Sequence, residues 1–436
     1  MSARKLFNMM CVALAMASTG CGNHGVMTSP YSAVAPLRAN PSSASAPRYI
    51  NRLVIKYKAG ATDSQMRSIQ TRFKLSSVGD VSALGIGALA LPEGGNAAST
   101  IAALAGQPGV EYAEPDFIFS APTPKRRTGK PVAVRKLAAT AAVNDADFAR
   151  QWGMTKIGMP TVWSHNAGSP TVTVAVIDTG VDVRHPDLQG NLVPGYSVLK
   201  GATGPDDDHG HGTHVAGVIA ASANNGIGIA GVAPHCKIMP VKVLGKDGKG
   251  DTLDIVAGIV WAVNNGAKVI NMSLGGTGGS RTLMAAIQYA QSKDVVLVAA
   301  MGNDGANAQE YPAGYPGVIG VGASDEEDAI AEFSNFGSWI SVAAPGTDIF
   351  STLPTHAVTV QNEEGKDTSY DSMDGTSMAS PFVAGLAALV RSQFPALNAA
   401  QVKARIERTA DDKGDPGFDD HFGWGRINAA KALAGS

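Results

Sequence analysis

Three segments of the chain carry residues that could together hydrolyse an acyl bond. In chain order the residues are Asp178, His211 and Ser377, and each lies beside an apolar run. A serine hydroxyl is a weak nucleophile. It attacks a carbonyl carbon when an imidazole takes its proton and a carboxylate holds that imidazole in the right tautomer. The three residue types therefore supply a nucleophile, a general base and a group that orients the base.

Each of these residues, taken alone, also fits another role. Asp178 follows the apolar run Val174–Ile177, where an acid often caps the end of a strand. His211 and His214 could share one face of a helix and bind zinc. Ser377 precedes a long apolar segment, a position at which serine is a common helix N-cap.

The segments around the three residues decide between these roles. Val174–Gly180, His211–Gly217 and Gly375–Pro381 resemble the catalytic motifs of the subtilisin-like serine proteases, the subtilases. The resemblance covers about residues 145–432, and the order Asp, His, Ser is the order of that family. It implies that Ser377 is the nucleophile, that His211 is the base oriented by Asp178, and that His214 is a packing residue.

The resemblance also implies an oxyanion hole and a substrate cleft. Asn303 is expected to donate its side-chain amide to the oxyanion, together with the backbone N–H of Ser377. In this family the substrate binds as an added β-strand. Two segments resemble those that flank it, and glycine in them lets another backbone approach closely. Their residues are Ser273, Leu274 and Gly275 in one segment, and Gly248 and Gly250 in the other.

Glu310 precedes Tyr311-Pro312-Ala313, which resembles one wall of the pocket for the side chain before the scissile bond (P1). The resemblance places Glu310 near the pocket floor, where a carboxylate would attract Lys or Arg. The alternative is a glutamate that faces solvent.

A structural calcium ion is the expected cofactor, and no organic cofactor is expected. Calcium prefers oxygen ligands such as carboxylates, amides and backbone carbonyls. The resemblance offers the side chains of Asp187 and Asn225, with Asp145 as a further ligand and loop carbonyls to complete the shell; the loop residues are Ser222, Ile227 and Ile229. The run 206–208 could bind a second ion, although three adjacent acids more often form a solvated loop.

Composition divides the chain into five segments. Residues 1–21 form a signal peptide, with Arg4 and Lys5 before an apolar run that is too short to span a bilayer. Residues 22–47 form a flexible tether. Residues 48–119 form a small α+β domain that resembles the inhibitory propeptide of subtilases, and 120–143 form a basic linker with processing sites. Residues 144–436 form the catalytic domain.

From Val172 onward, short strands rich in β-branched residues alternate with helical patterns. This alternation predicts an α/β fold, a doubly wound and mainly parallel sheet with helices on both faces. Catalytic residues in such folds lie beyond the carboxyl ends of strands.

The cellular location and the binding partners can be predicted from these features. Small residues before Cys21 make the protein either secreted or a membrane-anchored lipoprotein, and in both cases extracytoplasmic. Cys236 is then the single cysteine of the mature chain and is expected to be buried. A net charge of −2 with no basic stripe gives no sign of nucleic-acid binding. The expected partners are protein or peptide substrates and the chain's own propeptide, and the expected state is a monomer.

The sequence favours a self-processing serine endopeptidase over two alternatives. One is a catalytically silent binding protein, which the complete set of Asp178, His211, Ser377 and Asn303 argues against. The other is an esterase or amidase with the same triad, but the chain lacks a Gly-x-Ser-x-Gly elbow and the usual position of His after Ser.

Overall fold

The computed structural model describes residues 47–121 and 143–435. In chain order its strands are β1 Tyr49–Tyr57, β2 Ser76–Val81, β3 Ile86–Ala90, β4 Val110–Ser120, β5 Thr173–Asp178, β6 Tyr196–Ser197, β7 Lys237–Lys242, β8 Lys249–Asp251, β9 Val269–Met272, β10 Val296–Ala300, β11 Ile319–Ser324, β12 Val342–Pro345, β13 Ile349–Thr352 and β14 Tyr370–Met373. Its α-helices are α1 Asp63–Phe73, α2 Ala97–Leu104, α3 Trp152–Lys156, α4 Met159–Trp163, α5 His211–Ala220, α6 Thr252–Asn264, α7 Arg281–Ser292, α8 Thr359–Glu364, α9 Thr376–Gln393, α10 Ala399–Arg408 and α11 Ala429–Leu433.

The central sheet has seven strands in the order β12-β11-β10-β9-β5-β7-β6, and all neighbouring pairs are parallel. This confirms the predicted parallel sheet. Its strands are apolar on both sides because alternate residues enter opposite cores. On β5, Val174 and Val176 pack with α5 and α9, whereas Ala175 and Ile177 pack with α6 and α7.

Helix α9 runs through the first of these two cores. Every residue from Thr376 to Arg391 is buried, so the helix is enclosed on all sides. It packs against α5 and against the strands from β9 to β12. Ser377, in the first turn of α9, is therefore positioned by a helix that is packed into the core.

The N-terminal residues form a second, antiparallel sheet, in which β2-β3-β1-β4 continues into β8 of the larger domain. One face carries α1 and α2 over a small core that includes Leu53, Ile55 and Leu104. The other face places Val54 and Ala88 in the same core as α6 and α7. Helix α1 begins with a capping box between Thr62 and Gln65.

Some predictions fall outside the described residues: the signal peptide, the tether, Cys21 and nearly all of the basic linker. Cys236 is buried, as expected. Within residues 47–121 and 143–435, no helix is both long and apolar enough to cross a bilayer.

Candidate active site

Asp178 and His211 meet where a strand ends and a helix begins. Asp178 is the last residue of β5 and His211 is the first of α5, and both are buried. His211 Nδ1 lies 2.8 Å from Asp178 Oδ1. Burial lowers the pKa of His211, but the adjacent Asp178 carboxylate outweighs burial and the pKa is raised overall. The carboxylate thus fixes the tautomer and increases the basicity of the imidazole.

The second nitrogen of His211 remains available. His211 Nε2 is buried and has no hydrogen-bond partner among the described residues. The Ser377 hydroxyl, on the first turn of α9, donates to the Ser273 carbonyl at 3.3 Å. Such a hydroxyl can rotate, and catalytic hydrogen bonds often tighten only when substrate binds.

Pro381 explains how the Ser377 backbone is held. A proline has no N–H, so the helical partner of the carbonyl four residues earlier is missing. That carbonyl belongs to Ser377, and it accepts a hydrogen bond from Ser273 Oγ at 2.8 Å. Asn271 in turn donates to Ser273 Oγ and accepts from Ser380, at 2.9 and 2.7 Å. A buried polar chain therefore ties the start of α9 to the end of β9.

The orientation of the Asn303 amide is set by Thr376. Asn303 Oδ1 accepts from the backbone N–H and from the hydroxyl of Thr376, both at 2.9 Å. With the oxygen held on that side, the NH₂ group is turned the other way. A Cβ on Gly375 would lie 3.2 Å from Asn303 Nδ2, so this donor lies beside the residues that lead into Ser377.

His214 takes no part in this arrangement. It is fully buried on α5, and its Nε2 lies 2.9 Å from the Ile349 carbonyl. Burial lowers its pKa to about 3, so the ring is neutral. No group of three or more His, Cys, Asp or Glu side chains that could hold a metal ion occurs in the two described ranges, and the zinc alternative has no support.

The cleft beside Ser377 is filled by the chain itself. Ser120, at the end of β4, exchanges two backbone hydrogen bonds with Gly275, of 3.0 and 2.9 Å. The next residue, Ala121, donates to the Gly248 carbonyl at 2.9 Å, while β4 pairs antiparallel with β8. Phe119 is buried against Gly276. The structure thus places β4 as a strand between the two glycine-containing segments.

Two acids of β4 also cap helices of the larger domain, and sequence reasoning missed both. Glu114 accepts from the backbone of Arg281 and Thr282 at the start of α7, at 2.9 Å each. Asp116 accepts from the backbone of Thr252 at the start of α6, at 3.0 Å. Carboxylates are favourable at helix N-termini. The sequence did carry a signal for this role. Glu114 and Asp116 are two residues apart in a strand, so both side chains lie on the same face of β4.

Glu310 is buried directly beneath the cleft. A Cβ on Gly275 would collide with Glu310 Oε2, and one on Gly302 would lie 2.6 Å from Glu310 Oε1. The alternative of a solvent-facing glutamate is therefore wrong, because only 8% of the residue is exposed. Burial, together with the nearby Asp304, raises the pKa of Glu310 to about 8.

The side chains expected to bind calcium lie together. Asn225 Nδ2 donates to Asp187 Oδ1 at 2.7 Å, and Asp145 accepts from the backbone of Asn224 and Asn225. The three loop residues expected to supply carbonyls are held in the same turn by their N–H groups. Ser222 N–H donates to the Asp187 carbonyl, Ile227 N–H to Asn225 Oδ1, and Ile229 N–H to Asp187 Oδ2.

The run 206–208 is not a uniformly solvated loop, although the side chains of Asp206 and Asp208 are 46% and 55% exposed. Asp207 is buried, with 1% of its surface exposed. Asp206 pairs with Arg184 at 3.3 Å, and Asp208 pairs with the buried Lys242 at 2.6 Å. Since the three carboxylates face different partners, they do not form a second ion site either.

Comparisons with known proteins agree with this geometry. Residues 169–425, more than half of the chain, match the model of the subtilase family, and residues 36–116 match that of the fervidolysin N-terminal prodomain. The chain is 37% identical to the thermophilic serine proteinase of Bacillus sp. (strain AK1), over 91% of this chain and 94% of that protein. It is 43% identical to thermitase of Thermoactinomyces vulgaris, over 66% of this chain and 98% of thermitase.

A solved structure extends the likeness to the N-terminal module. Fervidolysin from Fervidobacterium pennivorans, described as a keratinolytic enzyme related to subtilisin, is similar with a TM-score of 0.78 and 31% identity. The match covers 91% of this chain and 62% of fervidolysin, so the chain spans less than two thirds of that protein. The chain belongs to the subtilase family of serine proteases and carries an N-terminal prodomain of the fervidolysin type.

Proposed function

We propose that this peptide hydrolase cleaves internal peptide bonds through Ser377, His211 and Asp178. The observation that carries the proposal is the 2.8 Å hydrogen bond between the buried Asp178 and His211. His211 Nε2 takes the proton of Ser377 as its oxygen attacks the carbonyl carbon, and then passes that proton to the leaving amine. Water hydrolyses the acyl-enzyme by the same route in reverse. Asn303 Nδ2 and the backbone N–H of Ser377 stabilise the oxyanion in both steps.

The chain is made as a zymogen whose prodomain inhibits the catalytic domain. The placement of Ser120 and Ala121 between Gly275 and Gly248 supports this role, because these hydrogen bonds are the ones a substrate strand would need. Processing within the linker 120–143, and self-processing by the same active site, are part of the proposal.

The P1 preference follows from Glu310. Its carboxyl lies under Gly275, which hydrogen-bonds the strand in the cleft. In its ionised form it would pair with a Lys or Arg side chain that enters the pocket. The linker segment Lys125-Arg126-Arg127 offers such residues.

A calcium ion fits the loop that joins Asp145, Asp187 and Asn225. Two carboxylates and an amide are the donor set that calcium prefers, with backbone carbonyls to complete it. Burial raises the pKa of Asp187, and the nearby Asp145 raises it further. The bound ion would hold these residues together.

The protein is proposed to act outside the cytoplasm, either secreted or anchored by a lipid on Cys21. The apolar N-terminal run and the small residues before Cys21 support this. The mass of the N-terminal peptide from the native host would separate the two, because a lipid adds to the mass of the peptide that begins at Cys21.

Intact mass of residues 22–436, produced as wild type and as Ser377→Ala, tests the mechanism. We expect wild type to lose its N-terminal module and the variant to stay whole, because triad losses lower kcat by about 10⁶-fold in proteases of this type. The new N-terminus reports the P1 residue. If both proteins stay whole, a fluorophosphonate probe decides, since an active Ser377 reacts with it and a silent site does not.

A further inference from the structure

Asp207 is the residue of the acidic run that the proposed mechanism does not use. It lies four residues before His211 and is buried with 1% exposed. No cation pairs with it in the part of the chain that the structure describes. A carboxylate is buried at a high cost in free energy unless hydrogen bonds or opposite charges compensate for its lost hydration.

The partners of Asp207 lie just before α5 and in its first turn. Asp207 Oδ1 accepts from the backbone of His209 and Gly210, at 3.0 and 2.9 Å. Asp207 Oδ2 accepts from the backbone and the hydroxyl of Thr213, at 3.0 and 2.6 Å. These donors surround His211 on both sides in the chain, and the carboxylate also lies at the positive end of the helix dipole.

A fifth bond crosses to β5. The Thr179 hydroxyl donates to Asp207 Oδ1 and accepts from the backbone of Gly212, both at 2.9 Å. Thr179 directly follows Asp178, and Gly212 directly follows His211. The Thr179 backbone N–H also donates to Asp178 Oδ1 at 2.7 Å, the same oxygen that His211 contacts. The two residues after the triad acid and base are thereby joined to each other and to Asp207.

Gly212, in the first turn of α5, lies too close to the end of β5 for any larger residue to fit there. A Cβ on Gly212 would collide with the Gly180 carbonyl and would lie 3.2 Å from Asp178 Oδ1. The first turn of α5 therefore rests directly on the end of β5, and its distance from Asp178 is set by the hydrogen bonds through Thr179 and Asp207.

We propose that Asp207 is a positioning residue for catalysis, whose carboxylate, through Thr179, fixes the first turn of α5 to the end of β5 and so sets the Asp178–His211 hydrogen bond. This rests on the proposed role of the triad. Asp207 touches neither substrate nor the reacting atoms and acts through its neighbours.

Asp207 also acts on His211 through its charge. The charged groups that face His211 are Asp178 at the end of β5, Asp207 before α5 and Glu364 at the end of α8, and all three raise its pKa. His209, on the same turn, and His214 are the other titratable neighbours, and both have lowered pKa values. Lys242, which contacts the Thr179 carbonyl and Asp208, is the nearby cation.

Four variants of the full chain test the proposal. Thr179→Val removes the hydroxyl that links β5 to α5 and leaves the Asp207 charge in place. Thr179→Ser restores the hydroxyl. Asp207→Asn removes the charge, and Asp206→Asn is the matched control, since Asp206 lies in the same run but pairs with the exposed Arg184.

We expect Thr179→Val to lower kcat on a peptide substrate by roughly 10–100-fold, because a small misplacement of a catalytic group costs about that much. KM should change less than about twofold, since no residue of the cleft is altered, and Thr179→Ser should recover most of the loss. Asp207→Asn should lower kcat and also move the acid limb of kcat/KM to lower pH. Removing a charge that raises the pKa of His211 lets the imidazole stay neutral at lower pH. Asp206→Asn should match wild type in both.

Rates are normalised to the fraction of Ser377 that a fluorophosphonate labels, so that a loss of folded protein is not counted. Wild-type kcat and an unshifted acid limb in Thr179→Val and Asp207→Asn would overturn the proposal. If wild type itself cleaves no peptide, the triad mechanism has failed, and a second readout applies. The downfield proton resonance of the Asp178–His211 hydrogen bond should persist in Asp206→Asn and shift or vanish in Thr179→Val, both in the Ser377→Ala background. An unchanged resonance would overturn the positioning role.

Discussion

Glu310 shows how burial changes what a carboxyl can do. An exposed glutamate would be ionised at neutral pH, whereas this one lies under Gly275 with its pKa raised to about 8 by burial and by Asp304. The carboxyl proposed to form the pocket floor is therefore mostly uncharged below pH 8 and ionised above it. A Lys or Arg side chain in the pocket has to displace that proton at lower pH, which weakens its advantage over a neutral residue.

We expect the ratio of kcat/KM for Arg over Phe at P1 to rise with pH through about 8. Glu310→Gln should remove this rise and lower the ratio at pH 9 by roughly 10–100-fold, the range for losing a hydrogen bond between charged groups. Paired peptides that differ only at P1, assayed from pH 6.5 to 9.5, measure the ratio. Because His211 acts on both peptides equally, its titration cancels. A ratio independent of pH in wild type would contradict this role.

The elements around the site show what the sequence could predict. The apolar pattern of the sequence predicts helices over residues 63–73 and 252–264, and α1 and α6 have these bounds, each beginning after a capping residue, Thr62 or Asp251. The sequence also predicts a strand over Val110–Asp116, but β4 runs four residues further, to Ser120, and β8 was not predicted. The sequence carries no local signal for a strand at residues 117–120 or in β8, because these two segments are strands only through their pairing with each other.

The site residues also differ in whether local sequence or distant contacts define their roles. Asp178, His211 and Ser377 lie in long motifs and could be placed from the sequence alone. The roles of Asp207 and Asp116 could not, because their side chains are defined by partners 28 and 136 residues away. Burial of a charge depends on which distant donors surround it.

The loop of Asp145, Asp187 and Asn225 is an element whose stability we expect to depend on calcium. Adding EGTA should lower the Tm by about 5–10 °C, taking about 2.7 kcal/mol for an ion at 100 times its Kd and 2–4 °C per kcal/mol. EGTA already saturated with calcium is the control. Asp187→Asn or Asn225→Ala should start at the lower Tm and respond little to EGTA. An unchanged Tm in wild type would count against the site.

Across the whole molecule, the two domains share charged groups at their interface. Arg52 of β1 contacts Asp116 at 2.6 Å and also pairs with Asp251, the N-cap of α6. Burial, with Asp251 nearby, raises the pKa of Asp116 to about 6 and that of Asp254 to about 7. One cation thus faces three carboxylates, and two of these carboxylates have raised pKa values while the N-terminal module is in place.

We therefore expect the cleaved prodomain to leave faster as the pH rises. Carboxyls whose pKa is raised in the complex favour it at low pH, and this advantage is lost as pH rises through about 6 to 7. The lag before peptide hydrolysis by freshly processed enzyme should shorten from pH 5.5 to 8. Asp254→Asn should flatten this dependence, while Asp415→Asn, at an exposed position far along the chain, should not. An equal slope in Asp254→Asn would rule out the interface carboxylates as its source.

The burial of α9 also affects how well the enzyme resists cleavage by other molecules of itself. A protease cleaves a chain that can enter its cleft as an extended strand, and every residue from Thr376 to Arg391 is buried. Every residue of the run 414–418 is exposed and two of the five are glycine, which makes it the easier place for a neighbouring molecule to cut first. Damage of that kind leaves the nucleophile's helix intact, so loss of activity in concentrated solution should follow the rate of global unfolding.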